Sequence, residues 1–313
     1  MVELIVRPRE VVRWEEFLNF PGYAIALDGY VYGPTRFSPK GPHLNLNHHE
    51  EVDRLSTRST SAQVMVIAKM GILRRRFKKN GSFFAQVYVN DPDQDTAMAV
   101  WLLRNYERIT GLRSEPLINR LTFAVDMLDA TAGCYPFDPE SKVYGDVAWI
   151  FKPYTEARLS GHLTSMNAGE MEAVIDAVGK RIDDYTLGKG EQRQLDNRYE
   201  RLIEGDDWTL VREIGPDART KMFLDGIHSF VSLRVREDGV NIYSIGSLSP
   251  CEDFPLDILY DALNAEEGIL SGDTDRWGGG NTIGGSPRLR GSKLSPKEVA
   301  EVINEALGKY HNE

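Results

Sequence analysis

The chain has 313 residues, 41% of them apolar and 27% charged, so it can form two domains with cores of their own and is not disordered throughout. The net charge of −10, from 37 basic and 47 acidic side chains, opposes binding to long duplex nucleic acid but allows a small anionic substrate. Every apolar run is shorter than the ~20 residues of a membrane span, and the first residues carry charges where a secretory signal would be apolar, which predicts a cytoplasmic protein without membrane association.

The first predicted strand is Tyr23–Leu27, a short apolar run followed at once by Asp28 and Gly29. After a loop rich in Gly-Pro pairs, the segment 44–46 leads into Asn47-His48-His49-Glu50. Residues 59–70 then have helical spacing of apolar side chains and stop at Gly71, which is typical of a helix C-terminus. The basic stretch 74–79 that follows fits either a phosphate-attracting patch or a solvated loop.

A second unit repeats this order, with a predicted strand at 83–89, an acidic cluster at 90–95 and a predicted helix at 96–108. A third apolar run, 121–125, ends in Asp126 and Asp129, and we expect these acids at a strand end or in a loop. This alternation predicts an α/β fold with a mainly parallel sheet flanked by helices. Ligands of such sheets bind beyond the carboxyl ends of the strands, where the acids and histidines are expected.

The second half of the chain has a different pattern, which predicts a smaller α/β domain with a mixed sheet. Asn167 and Glu170 form a capping box that opens a helix to about Tyr185, and polar residues follow from 188 to 207. We therefore predict a first domain at 1–187, a linker at 188–207 and a second domain at 208–313. The second domain is predicted to contain short strands at 208–212, 230–235 and 240–245, with a hairpin turn at Glu237-Asp238-Gly239. A helix at 255–266, a glycine-rich stretch at 277–291 and a last helix opened by Ser295 follow.

The strand-end residues have the chemistry of a metal site. Asp93 and Asp95 can face one cavity if the loop bends around Pro92, and carboxylates this close repel unless a cation neutralises them. Combined with His48 and Asp28, they offer oxygen and imidazole ligands without thiolates. Such a set favours a metal such as Mn²⁺, Mg²⁺, Fe²⁺ or Zn²⁺. Cys134 and Cys251 are too far apart for a thiolate pair motif and are expected to be unpaired.

This cluster resembles that of the DHH phosphoesterases, whose members share a two-domain α/β plan and commonly use Mn²⁺ to hydrolyse phosphate esters or anhydrides. Asn47-His48-His49 resembles the Asp-His-His motif of the family, and residues 89–95 resemble its His-x-x-x-Asp-x-Asp motif. Asp28 matches the lone strand-end acid, and the last acidic motif falls on the stretch from Asp126 to Gly133. Asn47 stands where the family has aspartate and Val89 where it has histidine, so one metal position is weakened, rebuilt around Asp91, or absent.

The resemblance implies that the metal is Mn²⁺, and it implies roles for individual residues. Trp277 to Gly285, followed by Ser286-Pro287-Arg288, is similar to the glycine-rich segment of the associated C-terminal domain, where backbone N–H groups approach a substrate phosphate. A tight structural loop accounts for these glycines as well. The expected metal ligands are Asp28, His48, Asp93, Asp95 and either Asp126 or Asp129; the expected catalytic residues are His49 and Arg288; and the expected substrate contacts are Arg58, Gly278, Gly279, Gly280 and Arg288.

The sequence thus predicts a metal-dependent phosphohydrolase or phosphodiesterase that acts, through a metal-activated hydroxide, on a nucleotide, a short oligonucleotide or another small phosphate ester. A non-catalytic protein of the same fold that binds a nucleotide or another anion is the alternative, and a structural or partner-binding protein is the third. Homo-oligomer formation is left open. Neither a Gly-x-Ser-x-Gly elbow nor a Walker motif occurs, which disfavours a serine nucleophile and a P-loop.

Overall fold

A computed structural model describes residues 1–236 and 238–312. The chain divides into two compact units. The first comprises residues 1–52, 56–129 and 140–194, and the second comprises residues 53–55, 130–139 and 195–313. The predicted fold class is confirmed, because the first unit contains a mainly parallel sheet flanked by helices and the second contains a separate mixed sheet.

The strands of the first unit are β1 (Val2–Val6), β2 (Ala24–Leu27), β3 (Arg36–Ser38), β4 (His43–Leu46), β5 (Lys78–Lys79), β6 (Ser82–Phe83) and β7 (Ala85–Val89). Its helices are α1 (Trp14–Phe17), α2 (Thr60–Lys69), α3 (Ile72–Arg76), α4 (Gln94–Arg104), α5 (Tyr106–Ile109), α6 (Pro116–Ala130), α7 (Lys142–Ile150), α8 (Lys152–Leu159) and α9 (Ala168–Thr186), with a 3₁₀ helix at His162–Ser165. The last residue of α6 is assigned to the second unit.

The main sheet of the first unit has the strand order β1-β7-β2-β4-β3, in which only the edge strand β3 is antiparallel to its neighbour. Every residue of β2 and β4 is buried, as expected for parallel strands that are covered on both faces. The chain passes from β2 to β4 on one side and then crosses to β7 on the other side of β2. The direction of winding therefore reverses at β2, and its carboxyl end is the place where such sheets bind ligands.

One predicted element of this unit was wrong, and a second is confirmed with different bounds. The apolar run 121–125 belongs to helix α6, whose buried residues Ile118, Leu121, Val125 and Leu128 recur at helical spacing. The predicted helix 96–108 begins earlier, at Gln94, and is interrupted at Asn105, where α4 ends and the short α5 begins. Asp95 consequently lies in the first turn of α4 and not in a loop. The predicted helix from the capping box at Asn167 is confirmed as α9.

The strands of the second unit are β8 (Tyr199–Glu204), β9 (Thr209–Glu213), β10 (Ser229–Val235), β11 (Asn241–Ser247), β12 (Gly278–Gly279) and β13 (Ile283–Gly285). Its helices are α10 (Ala218–Leu224), α11 (Leu256–Glu266) and α12 (Pro296–Tyr310). The sheet has the order β12-β13-β11-β10-β9-β8, and α11 and α12 share with it a core that includes Trp208, Tyr243 and Trp277. Helix α10 contributes Ala218 and Met222 to a second cluster.

Most of the expected elements in this unit are confirmed, including the antiparallel pair β10–β11 and the helix opened by Ser295. Strand β8 lies within the segment 188–207, which the sequence predicted as a linker. Glu237, in the predicted hairpin turn, lies outside the described residues. Within residues 1–236 and 238–312, no helix combines the length and the apolar character required to span a membrane.

Candidate metal centre

Three strand ends of the first unit carry the predicted site residues to one edge of the sheet. Asp28 directly follows β2, Asn47 and the two histidines follow β4, and the acidic cluster 90–95 follows β7. Because β7 and β4 are the two neighbours of β2, these three segments lie side by side where parallel strands end. The order of the sheet therefore brings together residues that are up to 67 positions apart in sequence, from Asp28 to Asp95.

Asp28 occupies the centre of this edge. Its backbone has a φ of +50°, a left-handed conformation that few non-glycine residues adopt, and Gly29 follows with a φ of +78°. The carboxylate is buried, and its Oδ1 accepts a hydrogen bond of 2.9 Å from the hydroxyl of Thr60. The hydroxyl of Thr96 donates to Oδ2 at 3.3 Å. Two hydroxyl groups thus orient the Asp28 carboxylate.

Asn47 shapes the turn that presents the histidines. Its side-chain oxygen accepts the backbone N–H groups of His48 and His49, at 2.8 and 3.1 Å. Its NH₂ group donates to the backbone oxygen of Gly33 at 3.0 Å and to Glu50 Oε2 at 2.6 Å. An aspartate has no N–H to donate to these oxygens. The amide at this position therefore makes two hydrogen bonds that an aspartate could not make.

The two histidines face the Asp28 carboxylate from the end of β4. Their rings are 4.6 Å apart between centroids. The His48 side chain is fully buried, and its Nε2 lies 3.4 Å from Asp28 Oδ1. The His49 side chain is 32% exposed, and its Nε2 lies 2.9 Å from the same oxygen. His48 is thus an interior residue of the cluster, whereas His49 is accessible from outside.

Asp95 connects the cluster to the start of α2 through hydrogen bonds. Its two carboxylate oxygens accept the backbone N–H groups of Thr60 and Ser61, at 2.6 and 2.9 Å. A carboxylate at a helix N-terminus is favourable because it pairs with N–H groups that have no partner within the helix. Its Oδ2 also lies 3.7 Å from His48 Nε2. Asp93, two residues earlier, caps α4 by accepting the N–H of Thr96 at 2.8 Å.

Helix α6 supplies the two acids between which the sequence could not choose. The Asp129 carboxylate lies 2.7 Å from His48 Nε2 and is 29% exposed. Asp126, three residues earlier, is almost fully buried and accepts the backbone N–H of Ser59 at 2.7 Å. Asp129 therefore contacts the histidine, and Asp126 supports the residue that caps α2.

Among the described residues, two overlapping trios place their ligand atoms close enough to hold a metal ion, within 4.8 Å of one another. They are Asp28-His48-His49 and His48-Asp95-Asp129, and His48 is common to both. Five of the predicted site residues thus converge on one cluster.

The carboxylates of the cluster repel one another, and the two imidazoles attract the Asp28 carboxylate. Burial alone would raise the pKa of Asp28, but the imidazoles of His49 and His48 hold it well below its usual range. Burial and the neighbouring carboxylates, first of all that of Asp28, raise the pKa of Asp93 well above its usual range. The same causes raise the pKa of Asp95 to about 7. Carboxylates held this closely are relieved when a divalent cation lies among them.

The donors fit a metal ion of borderline or hard character. Carboxylate oxygens and imidazole nitrogens suit Mn²⁺, Fe²⁺ and Zn²⁺, and the carboxylates alone suit Mg²⁺. The Thr60 and Thr96 hydroxyls and the α2 amide groups hold the carboxylates in place, as supporting hydrogen bonds commonly do around metal ligands. The residues present therefore fit the metal that the sequence predicted.

The remaining predicted residues of this unit lie around the cluster. Arg58 directly precedes the Ser59 cap of α2, is 65% exposed at its side chain, and has its Nη1 3.7 Å from Asp126 Oδ2. Val89 is fully buried in β7 and provides no ligand. Asp91 contributes negative charge next to Asp93.

The predicted glycine-rich site lies in the second unit, where β12 and β13 pair through Gly278–Gly285 and Gly279–Gly284. A Cβ on Gly284 would overlap the hydroxyl of Tyr260 and the backbone oxygen of Gly278. Close packing is therefore sufficient to explain Gly284. Gly278 has open space around it, and Arg288 is exposed in the segment that follows. The backbone N–H of Gly280 donates a hydrogen bond to the backbone oxygen of Ile283, within the same β12–β13 hairpin.

Sequence reasoning missed the hydroxyl residues that orient the acids, chiefly Thr60 and Thr96. The triplet Ser59-Thr60-Ser61 at the start of a predicted helix was the available signal, because hydroxyl residues are common at helix N-termini.

In comparisons with known proteins, no family model matches the chain, and no curated protein matches it.

Proposed function

We propose that this protein is a metal-dependent phosphohydrolase or phosphodiesterase that acts on a nucleotide, a short oligonucleotide or another small phosphate ester. The observation that carries the proposal is the convergence of Asp28, His48, His49, Asp95 and Asp129 at the carboxyl ends of three adjacent parallel strands. The Nε2 atom of His48 lies near the carboxylates of Asp28, Asp95 and Asp129, and a ring nitrogen binds a single metal ion, so in this proposal these residues surround one metal position. The motifs at 47–49 and 89–95 further suggest a divergent DHH phosphoesterase, which stays a proposal.

In this proposal, Asp28, His48, Asp95 and Asp129 hold the metal, and Asp93 adds negative charge at the same edge. A bound divalent ion would act as a Lewis acid on a phosphoryl oxygen and would lower the pKa of coordinated water. His49 is the accessible imidazole of the cluster, and its Nε2 is hydrogen-bonded to Asp28. In this proposal the Nδ1 of the protonated ring donates to a phosphoryl oxygen. Arg58, exposed beside the start of α2, supplies positive charge for an incoming phosphate.

The α2 amide groups take no part in phosphate binding in this proposal. The backbone N–H groups of Ser59, Thr60 and Ser61 already donate to Asp126 and Asp95. A phosphate would have to displace those carboxylates to bind there. Binding of the substrate therefore depends on the metal, His49 and Arg58. Arg288 and Gly278 to Gly280 stay predicted substrate contacts of the second unit.

Metal analysis combined with phosphate release tests this function. The chelator-stripped protein is reloaded with Mn²⁺, its metal content is measured by mass spectrometry, and phosphate release is followed on phosphate monoesters, nucleotides and dinucleotides with and without Mn²⁺. We expect Mn²⁺-dependent release that His48→Ala lowers about a hundredfold or more. His162→Ala, at an exposed histidine of the same unit, is the control and should retain wild-type activity.

The alternative, a non-catalytic nucleotide- or anion-binding protein, is favoured by one observation. Val89 places an apolar, fully buried side chain where the resembling family has a histidine ligand. The same experiment separates the two functions, because nucleotide binding without Mn²⁺-dependent release would support the alternative. Metal content at background level, together with an unchanged His48→Ala variant, would contradict the enzymatic proposal.

A further inference from the structure

A strongly basic surface lies elsewhere on the first unit of this otherwise acidic protein. Five of the six residues from Arg74 to Lys79 are basic, and all five are exposed. The exception, Phe77, is fully buried, as is Leu73. Leu73 within α3 and Phe77 directly after it are the buried anchors of this segment, and the three arginines between them are exposed.

The arginines of α3 are not neutralised by neighbouring acids. Within the part of the chain that the structure describes, Arg74, Arg75 and Arg76 form no ion pair, whereas many other arginines of this unit do. Three adjacent cations without carboxylate partners repel one another. An anionic partner would relieve that repulsion.

The basic surface borders a cavity with an aromatic wall. Phe37, 41% exposed on the edge strand β3, lines a cavity of about 500 Å³ together with Ile72, Arg75 and Arg76. This volume is within the range of sites for small organic ligands. An exposed aromatic ring beside arginines suits a nucleobase stacked on the ring with its phosphates on the guanidinium groups.

Helix α2 connects this surface to the metal centre. Its first residue, Thr60, donates to both Asp95 and Asp28, and its last residue, Lys69, is followed by Gly71 and α3. A helix of 10 residues is about 15 Å long. An extended strand that carries a phosphate at every nucleotide can reach from one end of α2 to the other.

We propose that the surface formed by Phe37, Ile72 and residues 74–79 binds single-stranded nucleic acid, with a base on Phe37 and backbone phosphates on Arg75 and Arg76. The inference has a second part, which is that one short oligonucleotide occupies this surface and the metal centre together as the substrate. That part rests on the proposed function. Binding itself does not depend on hydrolysis. It can therefore be measured in the absence of metal.

Fluorescence anisotropy of a labelled, single-stranded oligothymidylate in excess EDTA tests the binding. We expect salt-dependent binding that the pair Arg75→Glu and Arg76→Glu weakens at least about tenfold and Phe37→Ala weakens about fivefold or more. The control pair Lys180→Glu and Lys189→Glu changes the net charge equally, at exposed lysines of the same unit. It should weaken binding less than threefold. The substituted side chains are exposed, and unchanged thermal unfolding verifies the fold.

Equal weakening by the control pair, or wild-type affinity in the arginine pair, would overturn the proposal. So would binding of the wild-type protein to vesicles of anionic lipid, abolished by the arginine pair, without any binding to the oligonucleotide. The binding assay contains no divalent metal. A protein that binds the oligonucleotide but does not hydrolyse phosphate esters would therefore contradict the proposed function and not this inference. Conversely, an active phosphatase that does not bind the oligonucleotide would refute this inference alone.

Discussion

The carboxylate of Asp129 lies 2.7 Å from the Nε2 atom of His48, joining helix α6 to the end of strand β4. Asp126, on the same helix, instead accepts the backbone N–H of Ser59. Two carboxylates three residues apart thus perform different tasks. One belongs to the candidate metal site and the other stabilises the start of α2.

Replacing each of these acids by alanine should separate metal binding from stability. Asp129→Ala should lower the affinity for Mn²⁺ about tenfold or more, because it removes either a metal ligand or a group that holds the His48 ligand in place. Asp126→Ala should lower the free energy of unfolding by about 1–3 kcal/mol, because it leaves a buried N–H without its acceptor. Calorimetric titration with Mn²⁺ and urea unfolding measure the two effects. The same loss of metal affinity in both variants would contradict the assignment.

Metal binding should stabilise the folded protein. Ligand at a hundredfold excess over its Kd adds about 2.7 kcal/mol to the free energy of unfolding, which corresponds to roughly 5–10 °C in Tm for a domain of this size. Mn²⁺ should therefore raise the Tm of the chelator-treated protein, and removal with EDTA should reverse the rise. His48→Ala should abolish the shift, since His48 belongs to both trios. A shift that persists in His48→Ala would place the metal elsewhere.

Asn47→Asp, which introduces the residue that the resembling family has at this position, should destabilise the fold. The new carboxylate would face the Glu50 carboxylate and the backbone oxygen of Gly33, to which the amide now donates. We expect a loss of about 2–4 kcal/mol in the free energy of unfolding. Adding Glu50→Gln should recover part of that loss in a double-mutant cycle, and additive effects would exclude the proposed repulsion.

In the second unit, Gly284→Ala should cost about 1–3 kcal/mol of stability, because its Cβ would overlap the hydroxyl of Tyr260. Gly278→Ala should have little effect on stability, since nothing lies within 4 Å of its Cβ position. Urea unfolding of both variants checks this difference. If Gly278→Ala leaves stability unchanged but weakens nucleotide binding, the predicted phosphate contact gains support.

The fold could be predicted largely from local patterns. Apolar runs followed at once by acids or histidines indicated strands β2 and β7 and the segment before Asn47, because parallel strands are buried on both faces and bind ligands at their ends. The run 121–125 was misassigned because five apolar residues fit a buried strand as well as one face of a helix.

The sequence alone determined which residues could form the site: Asp28, the two histidines after β4 and the acids after β7 lie at strand ends whatever the order of the strands. Only the tertiary structure decided that Asp129 and not Asp126 contacts His48, since both side chains share one helix and its orientation selects between them. It also decided that Asn47 acts as a donor within the turn. Local periodicity specifies secondary structure, whereas convergence of side chains depends on packing between segments far apart in the chain.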